Sequence, residues 1–163
     1  AAGEPWNVFP YGTEALSVLR IEKGHIVSAE IDGRTLANDF GFQRMHRQDS
    51  DFIGKRSLER PGLEAPRKTI VGLRSVDETV AIPRGAQVVS DPNAATPVTM
   101  LGHVSSRCYS PNLNAEIGLA LIDNASDFKG ETLYAVSPLT NESVPVIVTH
   151  PIFIDPNGER CRG

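Results

Sequence analysis

Past Pro66 the apolar residues stop recurring every three or four positions and begin to alternate, and this change of period limits the fold more than any other feature of the sequence. Residues 69–73, 80–82, 86–89, 98–105, 116–122, 132–137 and 144–149 are short apolar or alternating runs, separated by Gly, Pro and Asn turns such as Arg84-Gly85. Strands this short invite other chains to pair with any edge left open. They are expected to curl into a small antiparallel barrel, closed or nearly closed. The expected class is α+β, mainly β, with a short helix-containing N-terminal segment ahead of the barrel.

Pro10-Tyr-Gly-Thr-Glu-Ala-Leu-Ser-Val-Leu-Arg-Ile-Glu-Lys-Gly24 predicts a short amphipathic helix. Thr13 can cap the free amides of the first turn, and Glu14 suits the positive end of the helix dipole. Leu16, Leu19 and Lys23 follow at three- and four-residue steps, with Ala15 and Val18 widening the apolar stripe. Gly24 permits the left-handed residue that commonly ends a helix. Arg20 and Glu22 therefore sit on a rigid element and face different ways. Trp6, Val8, Phe9 and Tyr11 lead into it. Aromatics so placed either cover the helix's apolar face or stack on a planar ligand.

After Gly24, residues 25–31 predict a strand with Val27, Ala29 and Ile31 on one face and Asp32-Gly33 as its closing turn. Arg44, His46 and Arg47 read as a solvated loop. Asp51 is a candidate cap for a second short helix, with Phe52, Ile53 and Leu58 buried and Lys55 and Arg56 turned to water. Arg60-Pro61-Gly62 breaks that helix. The expected organisation is residues 1–60 as one unit, 61–66 as a linker and 67–163 as a self-contained barrel.

A formal net charge of −4 offers nucleic acid or an anionic membrane no general attraction. No apolar run approaches the roughly 18 residues of a membrane span, and no signal peptide opens the chain. Neither nucleic acid nor membrane is an expected partner. Cys108 and Cys161 lack metal-ligand spacing; two reduced thiols in a cytoplasmic protein is the preferred reading, a disulfide the alternative. No HExxH, P-loop or GxGxxG occurs, and no metal site is expected. His25, His46, His103 and His150 are widely spaced, and Ser110 before Pro111 suits a turn. No catalytic residue is assigned.

Pro10-Tyr-Gly-Thr-Glu-Ala-Leu16 and Leu19-Arg-Ile-Glu-Lys-Gly24, followed by Asp32-Gly33, resemble the folate-binding half of the alpha subunit of heterotetrameric sarcosine oxidase. That half is related to the glycine-cleavage aminomethyltransferase and to dimethylglycine oxidase. Asp51-Phe-Ile-Gly-Lys-Arg-Ser-Leu58, Gly102-His-Val-Ser-Ser-Arg-Cys-Tyr-Ser-Pro111 and Pro151-Ile-Phe-Ile-Asp-Pro-Asn-Gly158 resemble the same family in the same order, so the likeness spans almost the whole chain. It implies a barrel of the aminomethyltransferase C-terminal type, with residues 1–60 as the tail of the folate-binding domain before it. The sequence departs from the family at Leu36-Ala37, which replaces a threonine-proline pattern. It departs again at Leu16-Ser17, where the aminomethyltransferases carry an arginine–aspartate pair.

The resemblance implies a parent that oxidises sarcosine at a flavin and passes the methylene group to tetrahydrofolate. FAD, FMN and NAD would bind that parent outside this segment. Its partners would be upstream domains of the same alpha subunit, the other sarcosine oxidase subunits, folate and the sarcosine-derived one-carbon unit. The aspartate that steers protons in the related enzymes comes from earlier segments, so this chain is expected to be inactive alone and to supply a wall of the folate chamber. Tyr11, Arg20, Glu22 and Arg107 are its candidate folate contacts: an aromatic for the pterin, a carboxylate for its amino and lactam edge, and arginines for the glutamate tail. Arg20 has a structural alternative, a partly buried ion pair holding the helix to its neighbours. Two other readings stand beside this one, a stand-alone folate-dependent aminomethyltransferase or demethylase, and a non-catalytic interaction module.

Overall fold

A computed structural model describes residues 2–45, 49–63, 67–95 and 97–162, the side chains of Arg44 and Cys161 excepted. The readings made for His46, Arg47 and the end of the 61–66 linker lie outside the described residues. Among the described residues six strands pair: β1 (Lys68–Ser75), β2 (Gln87–Val89), β3 (Gly102–Ser110), β4 (Ala115–Asp123), β5 (Thr132–Ser137) and β6 (Glu142–Thr149). They form a closed barrel in the order β1-β4-β3-β2-β5-β6, every pairing antiparallel, with β6 returning to β1. The expected barrel is thus of the fully closed kind.

Alternation fills the barrel. Leu73, Val88, Val104, Ile122, Leu133 and Val146 are at most 2% exposed and share one interior cluster. β4 is buried along nearly its whole length. Its even residues Ala120 and Ile122 face inward. Its odd residues Ile117 and Leu119 pack instead with Ile21 and Cys108 in a second cluster outside the barrel. Residues 80–82 do not pair as a strand. Asp77 accepts bonds from the amide and hydroxyl of Thr79 and closes a turn there, and Pro83 has no amide to give a ladder. Ile82 nevertheless fills the interior with no exposed surface.

The third strand begins at Gly102 and runs on to Ser110, rather than spanning 98–105. A Cβ on Gly102 would lie 2.0 Å from the Leu121 carbonyl oxygen and 2.8 Å from Ile122 Cα. Only glycine lets the two backbones approach that closely. Gly102→Ala should therefore cost about 1–3 kcal/mol or more through forced backbone movement, read as a lower urea midpoint. An unchanged midpoint would refute the close approach.

The helix α1 (Thr13–Glu22) forms as the spacing predicts, but Gly12 is its N-cap and Thr13 makes no capping bond. Gly24 ends it at φ 70°, and a Cβ there would meet the Pro151 carbonyl at 2.6 Å, so the glycine is needed for space as well as conformation. The buried side is not the expected one. Ile21 and Glu22 are buried and Val18 packs beside them, whereas Leu16 and Leu19 stay about half exposed. Trp6 and Phe9, each 80% exposed, do not cover that stripe. The second helix α2 (Lys55–Leu58) is a single turn capped by Gly54 at φ 96°, a conformation that cannot continue a helix begun at Asp51. Ile53 is consequently fully exposed rather than buried.

Candidate functional site

The last turn of α1 lies against the second half of β3, and a bulge decides what it meets there. The β3–β4 register slips between Val104 and Ser106. Before the slip Val104 points into the barrel; after it Cys108, four residues on, points outward to Ile21. One extra residue in a strand exchanges its faces. The consecutive side chains of Ser105 and Ser106 can therefore both reach one carboxylate, that of Glu30.

Glu30 is 1% exposed and fully satisfied. Its Oε1 accepts from the Ser105 and Ser106 hydroxyls at 2.9 and 2.5 Å, and its Oε2 from the Val27 amide at 2.8 Å and Arg20 at 3.2 Å. Arg20 donates again to Ser106 Oγ at 2.6 Å. Burial pushes the Glu30 carboxyl up, but the bonds from Ser106, Val27 and Ser105 and the charge of Arg20 outweigh it and leave it below the usual carboxylate value. This arrangement overturns the strand expected at 25–31. The Glu30 side chain bonds back to Val27, and the Glu30 amide donates to the Val27 carbonyl, closing a turn. Val27 and Ile31 are turned outward as a result.

Glu22, 3% exposed, serves the far end of the same strand. It accepts from the Ser110 hydroxyl, and from Asn112 Nδ2 at 2.9 and 3.1 Å. Ser110 in turn accepts the Leu113 amide, so its hydroxyl shapes the β3–β4 turn. Between these polar rungs lies Cys108, a free thiol pushed up to about 11 by burial first and then by Glu22 and Glu116. Lys23 donates to the carbonyl and carboxylate of Asp155 and pins the C-terminal segment to the helix end.

Tyr11 is 67% exposed and does not join these groups. Trp6, Phe9, Leu16 and Leu19 are likewise exposed, and a groove of about 350 Å³ is lined by Leu16 and Leu19 with Lys23 and Ile154. Arg107 lies 3.6 Å from Glu116, with its Nε and Glu116 Oε2 buried and without partners among the described residues. The structure thus brings Arg20 and Glu22 to the outer face of β3, on Ser106 and Ser110; Arg107, on the strand's opposite face with Glu116, shares one small pocket with Arg20, and Tyr11 stands apart. Among the described residues no three acidic, histidine or cysteine side chains are placed to hold a metal ion. His150 Nδ1 accepts the Ile152 amide, and His103 is held below its usual value by burial, then by Lys68 and Arg34. Glu30 and Asn112 were missed from the sequence; the one signal for a buried carboxylate was the polar pair Ser105-Ser106 inside an apolar strand.

The barrel and its attached helix define a class. The model of the glycine cleavage T-protein C-terminal barrel domain matches residues 68–155, more than half of the chain. The chain belongs to that family. It is 40% identical over 161 residues to the sarcosine oxidase subunit alpha of Rhizobium meliloti (strain 1021), covering 98% of this chain and 16% of the relative. It is 38% identical to that of Corynebacterium sp. (strain P-1), over 100% of this chain and 17% of the relative. An aminomethyltransferase of Bacillus velezensis is 35% identical over 75% of this chain and 32% of the relative. The fold is that of the glycine cleavage system aminomethyltransferase T from Bartonella henselae, at a TM-score of 0.71 and 16% identity, covering 89% of this chain and 39% of that one. The chain therefore spans about a sixth of the length of the sarcosine oxidase subunits it matches. No helix among the described residues is long and apolar enough to cross a membrane.

Proposed function

We propose that this chain is the C-terminal part of a sarcosine-oxidase-type alpha subunit and forms the rear wall of a chamber in which tetrahydrofolate receives a methylene group. The observation that carries this reading is the likeness to sarcosine oxidase alpha subunits, which runs through 98–100% of the chain and so includes the N-terminal segment outside the barrel. In this proposal residues 1–60 complete the domain before the barrel, 61–66 link them, and the other subunits and upstream domains are its partners. FAD, FMN and NAD are bound elsewhere in the parent, and the setting is cytoplasmic, in keeping with the free thiol Cys108.

The residues present fit part of a folate. Tyr11, exposed like Trp6 and Phe9 shortly before it in the sequence, offers its ring to a planar ligand. Arg107, about a third exposed and lining a small pocket, offers its guanidinium to a carboxylate. Arg20 and Glu22 already bind partners within the chain, so in this proposal they act chiefly by holding the wall in shape. Tetrahydrofolate, when bound, supplies the amine that takes up the one-carbon unit. The chain's own part is to position it and to exclude water.

The experiment is calorimetric titration of the complete alpha subunit with a reduced folate. Tyr11→Ala should weaken binding about tenfold, with sarcosine oxidation retained, since loss of a well-made stacking contact removes roughly 1 kcal/mol or more. Unchanged affinity in a folded variant would remove Tyr11 from the site. Turnover of sarcosine and folate by the 163-residue chain alone would overturn its assignment as a wall. A stand-alone aminomethyltransferase remains the second reading, favoured by the 35% identity to the Bacillus velezensis protein. A parent able to transfer the methylene group without any sarcosine oxidation would support it.

A further inference from the structure

Beside the Arg20–Glu30 pair lies a pocket of about 150 Å³ whose lining includes Arg20, Arg84, Arg107, Ser17, Ser105 and Ser106. Three guanidinium-bearing side chains border one small polar space. Their charges are unequally answered. Arg20 is paired with Glu30 at 3.2 Å. Arg107 is only loosely paired with Glu116, at 3.6 Å, and its Nε is buried with no acceptor among the described residues. Arg84 is exposed and has no acidic partner among the described residues. Three cations against two carboxylates leave one positive charge over. The Ser105 and Ser106 hydroxyls already donate to Glu30, so the free donors are those of the arginines.

Arg84 is not a loose surface arginine. Ile82 on one side of it is 0% exposed and Ala86 on the other is 1% exposed, both anchored in the barrel interior. Between them Pro83 fixes one backbone angle and Gly85, at φ 68°, makes the turn that brings the chain back into the barrel. The backbone beneath Arg84 is therefore held from both ends, which lowers the entropy lost when its side chain binds.

We propose that this pocket receives one carboxylate, held between Arg84 and Arg107 beside the Arg20–Glu30 pair. A single negative charge neutralises the site, and a carboxylate presents two oxygens to the forked donors of an arginine. The site stands on these residues alone. The source of the carboxylate is either the glutamate tail of a folate, which rests on the function proposed above, or an acidic side chain from another part of the polypeptide.

The test uses the 163-residue chain labelled with nitrogen-15, following the arginine Nε–H resonances as p-aminobenzoylglutamate or glutarate is added. Arg84 and Arg107 should shift together and saturate, and Arg84→Ala should weaken binding at least tenfold; because Arg84 is exposed, that variant keeps the fold. Tighter binding of p-aminobenzoylglutamate than of glutarate supports the site and assigns it to the folate tail. Equal binding of the two supports the site and assigns it to a side-chain carboxylate, and counts against folate there. Shifts that never saturate, or that persist in both Arg84→Ala and Arg107→Gln, overturn the site whatever the complete subunit does with folate.

Discussion

Replacing Arg20 with alanine should destabilise the fold by roughly 3–5 kcal/mol, because it leaves the carboxylate of Glu30 buried without its cation. An exposed ion pair would cost no more than about 1 kcal/mol, so urea unfolding separates a strut from a surface contact. Glu30→Gln in the Arg20→Ala background should recover part of the loss by removing the stranded charge. The same pair sets an acid limb. The Glu30 carboxyl titrates below its usual 4.5 in the folded chain, so its contribution is fully present above about that pH and is lost as the pH falls through the lower folded value. Without Arg20 the folded value rises, and the acid limb should move to higher pH. In the complete alpha subunit, a strut predicts that folate binding and sarcosine oxidation decline together with stability. Loss of folate affinity in a variant of unchanged stability would instead make Arg20 a ligand residue.

Ile21→Ala should cost about 2–5 kcal/mol and shift a single unfolding transition. Ile21 is 1% exposed, and its cluster covers Ile117 and Leu119 on the outer face of β4, neither of which has any exposed surface. Removing its side chain leaves a cavity between helix and barrel. We propose that the 61–66 segment divides the course of the chain without dividing its stability. Two separate transitions, with the barrel's midpoint unmoved by Ile21→Ala, would show that the barrel stands alone.

The barrel was legible because alternating Val, Ile and Leu have few other ways to be buried, and five of its six strands lie close to where the alternation puts them. The bulge was not. A one-residue slip leaves each flanking run alternating and alters only their relation, which no local period records. Glu30 was misplaced for a similar reason. Its neighbours Val27, Ala29 and Ile31 mimic a strand, while the groups that bury it, Ser105 and Ser106, lie 75 and 76 residues away. Arg20 and Glu22 were legible as a fixed pair because caps and spacing act locally. Their partners were not, since Ser106 and Ser110 are 86 and 88 residues distant. Leu16 and Leu19 have the period of a buried stripe, and the described residues leave each about half exposed.

The strand order has a consequence for synthesis. β1 lies between β4 and β6, so the first strand of the barrel to be synthesised is completed by the barrel's last, while β2 waits for β3 and β5. No contiguous half of the barrel can satisfy its own backbone. Until residues 142–149 emerge, β1 carries an unpaired edge and the apolar Val71 and Leu73 face an open interior. Folding governed by such distant pairings is slow, and the nascent chain is most vulnerable to aggregation just before the final strand arrives. A truncation ahead of β6 should therefore behave as an aggregating chain, with no smaller barrel to fall back on.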